Sequence, residues 1–178
     1  MPPRATRLSA GVVVVRETRE GWRFLLLRAF NHWDFPKGMV ELDEEPLAAA
    51  IREVQEESLI ADLQFEWGYD FTETGPYSRG KVARYYVART QTVEVTLPVI
   101  EALGRPEHNE YRWVDSAAAA RLISPRIAPV LAWAEAKLSA AQPPVRPGRV
   151  RARPSTARAA AATAGRCSVW TRPSPRWS

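Results

Sequence analysis

The chain has 178 residues, 46% of them hydrophobic and 25% charged, the balance of a globular protein with room for one domain and something extra. Its formal charge of +5 is unevenly placed: eight arginines and no acid lie from Gln142 onward, so 17 of the 25 Lys and Arg face all 20 Asp and Glu in residues 1–141, a net of −3. Cys167 is the only cysteine and lies in that tail, which excludes an intrachain disulfide and a multi-cysteine metal site.

The N-terminus, MPPRATRLSAGVVVV, starts basic, but its apolar run is too short for a signal peptide. No stretch is long enough to span a bilayer, so the expectation is a cytoplasmic protein without membrane contact. SAGVVVVRE (9–17) and WRFLLLRAF (22–30) read as two strands joined by the polar TREG. In the following HWDFPKGMVELDEE (32–45), Pro36 and Gly38 mark irregular backbone. Residues Pro46 to Ser58 read as a helix, with Pro46 suited to its first position and Asp43, Glu44 and Glu45 at the end that favours acids.

Further strands are expected at 63–71, 81–90 and 110–115, and helices at 116–123 and 124–140. Interleaving without strict alternation predicts an α/β (α+β) domain, a mixed sheet with helices packed on it, spanning residues 1–141. After Gln142 the chain holds six prolines, one sign of charge and no apolar period, which predicts a disordered tail. Its arginines, with Trp170 and Trp177, could contact nucleic acid or another polyanion; a solvated extension without function is the reading favoured by composition.

The segment REVQEES (52–58) is at odds with its place. The C-terminal end of a helix disfavours acids, yet Glu53, Glu56 and Glu57 gather there on one arc of about 100°. A second stripe carries Leu47, Ala50, Ile51 and Val54, and Glu57 borders it. Like charges about 4 Å apart repel by roughly 4 kcal/mol at an effective dielectric near 20. One resolution is a solvated face with an Arg52–Glu56 pair worth a few tenths of a kcal/mol. The other is a hard divalent cation, which takes oxygen ligands and turns repulsion into attraction.

The spacing decides between them. Gly38, five residues, Glu44, seven residues and then Arg52-Glu53-Val54-Gln55-Glu56-Glu57 resembles the Nudix box, G-x5-E-x7-R-E-U-x-E-E (U aliphatic), of hydrolases that cleave nucleoside diphosphates linked to another group. HWDFPKGMVE and EHNEYRWVD further resemble the branch that splits diadenosine tetraphosphate asymmetrically. Two positions depart: Leu59 and Asp43 stand where the pattern often has glycine. A left-handed helix end would be costly for a leucine.

The resemblance implies a Nudix-type α/β/α sandwich. It implies that Glu53, Glu56 and Glu57 hold Mg²⁺, with Mn²⁺ the alternative, and that one of them deprotonates the attacking water. Arg52 would orient a neighbouring carboxylate and Glu44 would be structural. Lys37 suits a phosphate as a point charge, and the Lys37 or Gly38 carbonyl could add a ligand. Glu107, beside His108, would supply a further acid, while Tyr85 on a strand and Tyr77 on a loop would stack on bases. The implied reaction is pyrophosphohydrolysis of a dinucleoside polyphosphate to a nucleoside triphosphate and a monophosphate. The alternatives are other phosphoanhydrides (nucleoside triphosphates, RNA 5′ ends or diphosphoinositol polyphosphates) and a Nudix-fold binding module without turnover.

Overall fold

Four consecutive valines, Val12 to Val15, are fully buried in strand β1 (Leu8–Thr18). A strand shows such a continuous run when both faces of its sheet are covered. In the computed structural model, which describes residues 7–101 and 104–141, β1 is the centre of the sheet. It pairs antiparallel with β2 (Gly21–Ala29) and parallel with β6 (Val82–Arg89). Two three-residue strands flank the connection: β3 (His32–Asp34) joins β2, and β4 (Lys37–Met39) joins the start of β1 through Ser9–Met39 and Gly11–Lys37. β5 (Thr72–Glu73) pairs with β6, and β9 (Glu110–Val114) pairs with β2. The result is one mixed sheet of seven strands. A separate hairpin is formed by β7 (Val99–Ile100) and β8 (Arg105–Pro106).

Alternate side chains feed two cores. Val13, Val15, Phe24, Leu26 and Tyr85 pack with Ala119 of α2 (Ser116–Leu122) and with Leu131 and Leu138 of α3 (Ala128–Ala141). On the other face Val12, Val14, Leu25, Leu27 and Tyr86 pack against Ala49, Ala50 and Val54 of α1 (Pro46–Ser58). This is the expected α/β/α sandwich. Among the described residues no helix is long and apolar enough to cross a membrane. The tail from Gln142, and the boundary and polyanion contacts expected there, lie outside the described residues.

Three expectations need correction. Segment 63–71 is not a strand: only Gln64 bridges to Arg89, and the chain then turns, with Gly68 at φ 80° bonded back to Phe65. Its aromatics are used for packing instead, Phe65 on one core and Trp67 edge-on to Trp22 in the other. The last helix starts at Ala128, because Ser124 to Ile127 form a turn closed by the Ile127 N–H on the Ser124 carbonyl. On α1 the buried arc is rotated from the expected stripe. Ile51 is exposed, whereas Ala49 and the polar Glu57 and Ser58 are buried.

Candidate active site

That rotation places the acidic end of α1 against the sheet. Glu57 lies under β4, where its carboxylate accepts the Lys37 backbone N–H at 3.0 Å. Glu53 lies beside Gly38, and a Cβ on that glycine would fall 1.9 Å from the Glu53 carboxyl carbon. Only glycine leaves room for the carboxylate there. Gly11 on β1 is equally constrained, since its Cβ would meet the Pro36 carbonyl oxygen at 2.2 Å.

Arg52 explains how the remaining charges coexist. Its guanidinium grips Glu44 through two nitrogens (2.9 Å each), donates to Glu53 at 2.8 Å and Glu56 at 3.0 Å, and reaches the Met39 carbonyl at 3.0 Å. A planar fork suits such divided work, and a point charge does not. Its hydrogen bonds hold Glu44 well below the usual carboxylate range, at about 2. Glu44 in turn accepts the Glu41 N–H, so it serves as a strut.

Glu57 behaves oppositely. Burial pushes its carboxyl up to about 9, against the pull of the Lys37 ammonium and N–H, with Glu107 and Glu53 adding repulsion. Burial also raises Glu53, partly offset by Arg52. Burial alone would lower the Lys37 ammonium, but the Asp34 and Glu57 carboxylates outweigh it and the net direction is upward. Desolvation lowers His108, whose Nε2 stands 3.9 Å from Glu57.

Glu53, Glu57 and Glu107 stand between two cavities. One, of about 370 Å³, is polar and carries Lys37, Gly38, Tyr77 and Lys81; the other, of about 440 Å³, is mainly apolar. Lys81, Ser9 and Met39 join the site although sequence reading passed over them; Ser9 and Met39 come in through the β1–β4 pairing of three residues and Lys81 through its bridge to Tyr77, contacts too short to leave a periodic signal. Asp34 was also missed. It anchors Lys37 at 3.2 Å, Arg126 at 3.3 Å and the Tyr85 hydroxyl at 3.0 Å.

Tyr85 cannot stack on a base. It is fully buried, edge-on to Phe35, in the core under α3, because its parity on β6 points it to the helix-covered face. Tyr86 is no substitute, being buried on the opposite face beside Phe71. Tyr77 does reach the polar cavity, with Arg126 over its ring at 4.1 Å.

Both departures from the glycine pattern keep the backbone that glycine would favour. Asp43 has φ 62°, and Leu59 caps α1 at φ 56° with its N–H on the Gln55 carbonyl at 2.9 Å. This conformation costs roughly 1–2 kcal/mol in a residue such as Leu59, and less in an aspartate, which visits it more readily.

The donor set of Glu53, Glu56, Glu57 and Glu107 is all oxygen, as a hard divalent cation requires, and the glycine-made recess at Gly38 holds one of these carboxylates against the backbone. In chemistry the residues fit such an ion. Among the described residues, no three acidic, histidine or cysteine side chains are gathered closely enough to enclose one. Arg52 accounts for the spread, since it draws Glu53 and Glu56 onto its own nitrogens.

The NUDIX domain model matches residues 5–134. The asymmetrical bis(5′-nucleosyl)-tetraphosphatase of Caenorhabditis elegans is 31% identical over 113 residues, covering 60% of this chain and 78% of that protein. An RNA pyrophosphohydrolase of Acidiphilium cryptum is 29% identical over 114 residues, covering 57% and 68%. Among solved structures, a C. elegans Ap4A hydrolase binary complex superposes with a TM-score of 0.64 at 25% identity, covering 75% of this chain and 98% of that one. The ordered glutamates, the glycine-lined recess and these matches lead to one conclusion: the chain belongs to the Nudix hydrolase family.

Proposed function

We propose that the protein is a Mg²⁺-dependent, cytoplasmic pyrophosphohydrolase of dinucleoside polyphosphates, and that residues 1–141 carry the activity. The observation that carries this reading is the buried Glu57, beside Glu53 and Glu107, between a lysine-bearing cavity and an apolar one. A burial that penalises its charge so strongly favours a cation as partner. When bound, Mg²⁺ (or Mn²⁺) lowers the pKa of water and screens phosphate charge.

Lys37 and Lys81 hold the phosphates from the polar side as point charges. Glu53 or Glu57 takes a proton from water as the water oxygen bonds to phosphorus and the bridging P–O bond breaks. The electron pair leaves on the departing phosphate. Glu53 and Glu56 would hold the ion with Glu57 and Glu107, while Arg52 keeps its two bonds to Glu44.

The relatives named as tetraphosphatases support the dinucleotide substrate. Those named as RNA pyrophosphohydrolases, at comparable identity, support a second reading in which an RNA 5′ end is cleaved. Chromatography of the products separates the two. Diadenosine tetraphosphate with Mg²⁺ is expected to give ATP plus AMP; release of pyrophosphate from triphosphorylated RNA, with the dinucleotide untouched, would transfer the assignment to the second. No turnover of any phosphoanhydride with either metal would retire both.

A further inference from the structure

The apolar cavity has a wall to which Leu59 adds a side chain where the Nudix pattern often has glycine. With the carboxylates it is lined by Leu59, Leu97, Val99, Ile100 and Pro106, from the end of α1 and from β7, β8 and the segment before them. Among the described residues its lining includes no lysine or arginine, whereas both lysines of the site line the other cavity. Its polar lining is carboxylate and imidazole, from Glu53, Glu56, Glu57, Glu107 and His108, so a phosphate meets lysines only on the polar side and the apolar wall is left for an uncharged, hydrophobic surface.

Leu59 sharpens the point. It holds a left-handed backbone at φ 56° while 56% of its surface is exposed. Glycine would relieve the strain and remove the exposed apolar side chain. A leucine kept under both penalties gains if a ligand covers it.

We propose that this cleft is the subsite for a planar heterocyclic base carried by the substrate, with Leu59 forming its wall and setting specificity. The inference rests on the hydrolase reading and names which part of the substrate goes where. An inositol polyphosphate brings charge everywhere and a bare polyphosphate brings nothing apolar. A purine linked through ribose to the phosphate chain brings a flat, largely apolar ring to within reach of the carboxylates. The volume of about 440 Å³ lies in the ordinary range of small-molecule sites, roughly 300–1,000 Å³.

The test uses the full chain with ¹³C-labelled methyl groups, Mg²⁺, and a methylene-bridged, non-hydrolysable analogue of diadenosine tetraphosphate. Ring-current shifts are expected at the methyls of Leu59, Leu97, Val99 and Ile100. Leu59→Gly is expected to bind the analogue about 10-fold more weakly and to bind inorganic tripolyphosphate as the parent does. A purely structural role for Leu59 would move both ligands alike and would overturn the proposal, as would silent methyls at millimolar analogue. Cleavage is scored separately. Methyl shifts without production of ATP and AMP would retire the substrate assignment and keep the cleft; cleavage with silent methyls would retire the cleft alone.

Discussion

Replacing Glu57 by glutamine is expected to make the metal-free protein more stable while abolishing its activity. The wild-type carboxyl is raised from 4.5 to about 9 by burial, so between those values the folded state keeps a proton that the unfolded state releases. Stability is then full below about pH 4.5 and falls as pH rises toward 9. At roughly 1.4 kcal/mol per pH unit, the loss from this group at pH 8 reaches about 5 kcal/mol. Glutamine does not titrate, and its carbonyl can still accept the Lys37 N–H that Glu57 accepts at 3.0 Å. Urea unfolding followed by tryptophan fluorescence, in EDTA, should show Glu57→Gln more stable than the parent by roughly 2–5 kcal/mol at pH 8. The two should lie within about 1 kcal/mol at pH 5. Adding Mg²⁺ should stabilise the parent, more at pH 8 than at pH 5, and leave the variant unmoved, with turnover down about 100-fold or more. A variant less stable than the parent in EDTA at pH 8, or a parent with no fall in stability between pH 5 and 8, would refute the reasoning.

Three other substitutions probe the supports of the site. Gly38→Ala puts a Cβ against the Glu53 carboxyl and should lower kcat/KM by about 100-fold; near-parent kinetics would show that Glu53 can take another position without loss. Arg52→Lys cannot grip Glu44 while reaching Glu53, Glu56 and Met39. Manganese affinity, read by calorimetry, should fall roughly 10- to 100-fold, and unchanged affinity would count against Arg52 as the positioning residue. Gly11→Ala meets backbone at 2.2 Å and should destabilise by about 3 kcal/mol in urea, a loss that a tolerant site would not show.

Much of this arrangement was legible from residue spacing. The run Val12–Val15, the Pro46 helix start and the order from Gly38 to Glu57 all express local rules, and the structure keeps their bounds. What was lost to reading depended on neighbours distant in sequence. The parity of Tyr85 on β6 was visible, but which face α3 would cover was not. Ile51 fits a helical stripe, yet the sheet meets α1 along Ala49, Ala50 and Val54. The aromatic spacing of 63–71 imitates a strand because its rings do face two cores, reached here by turns instead of a ladder. Lys81 and Ser9 carry no motif, and only the assembled sheet brings them to the cavity of the carboxylates; Asp34 lies inside HWDFPKGMVE, but its partners Tyr85 and Arg126 are 51 and 92 residues away along the chain.

The three-residue strand β4 supplies both the N–H that holds Glu57 and the glycine that admits Glu53, and it is laced into the central strand through Ser9, Ala10 and Gly11. Local fraying of that strand would have to break its pairing with the start of the central strand, next to the buried run Val12–Val15. Amide exchange at Lys37 should therefore follow the slow, whole-molecule opening, and the geometry of the carboxylates should persist under denaturant until the domain itself gives way.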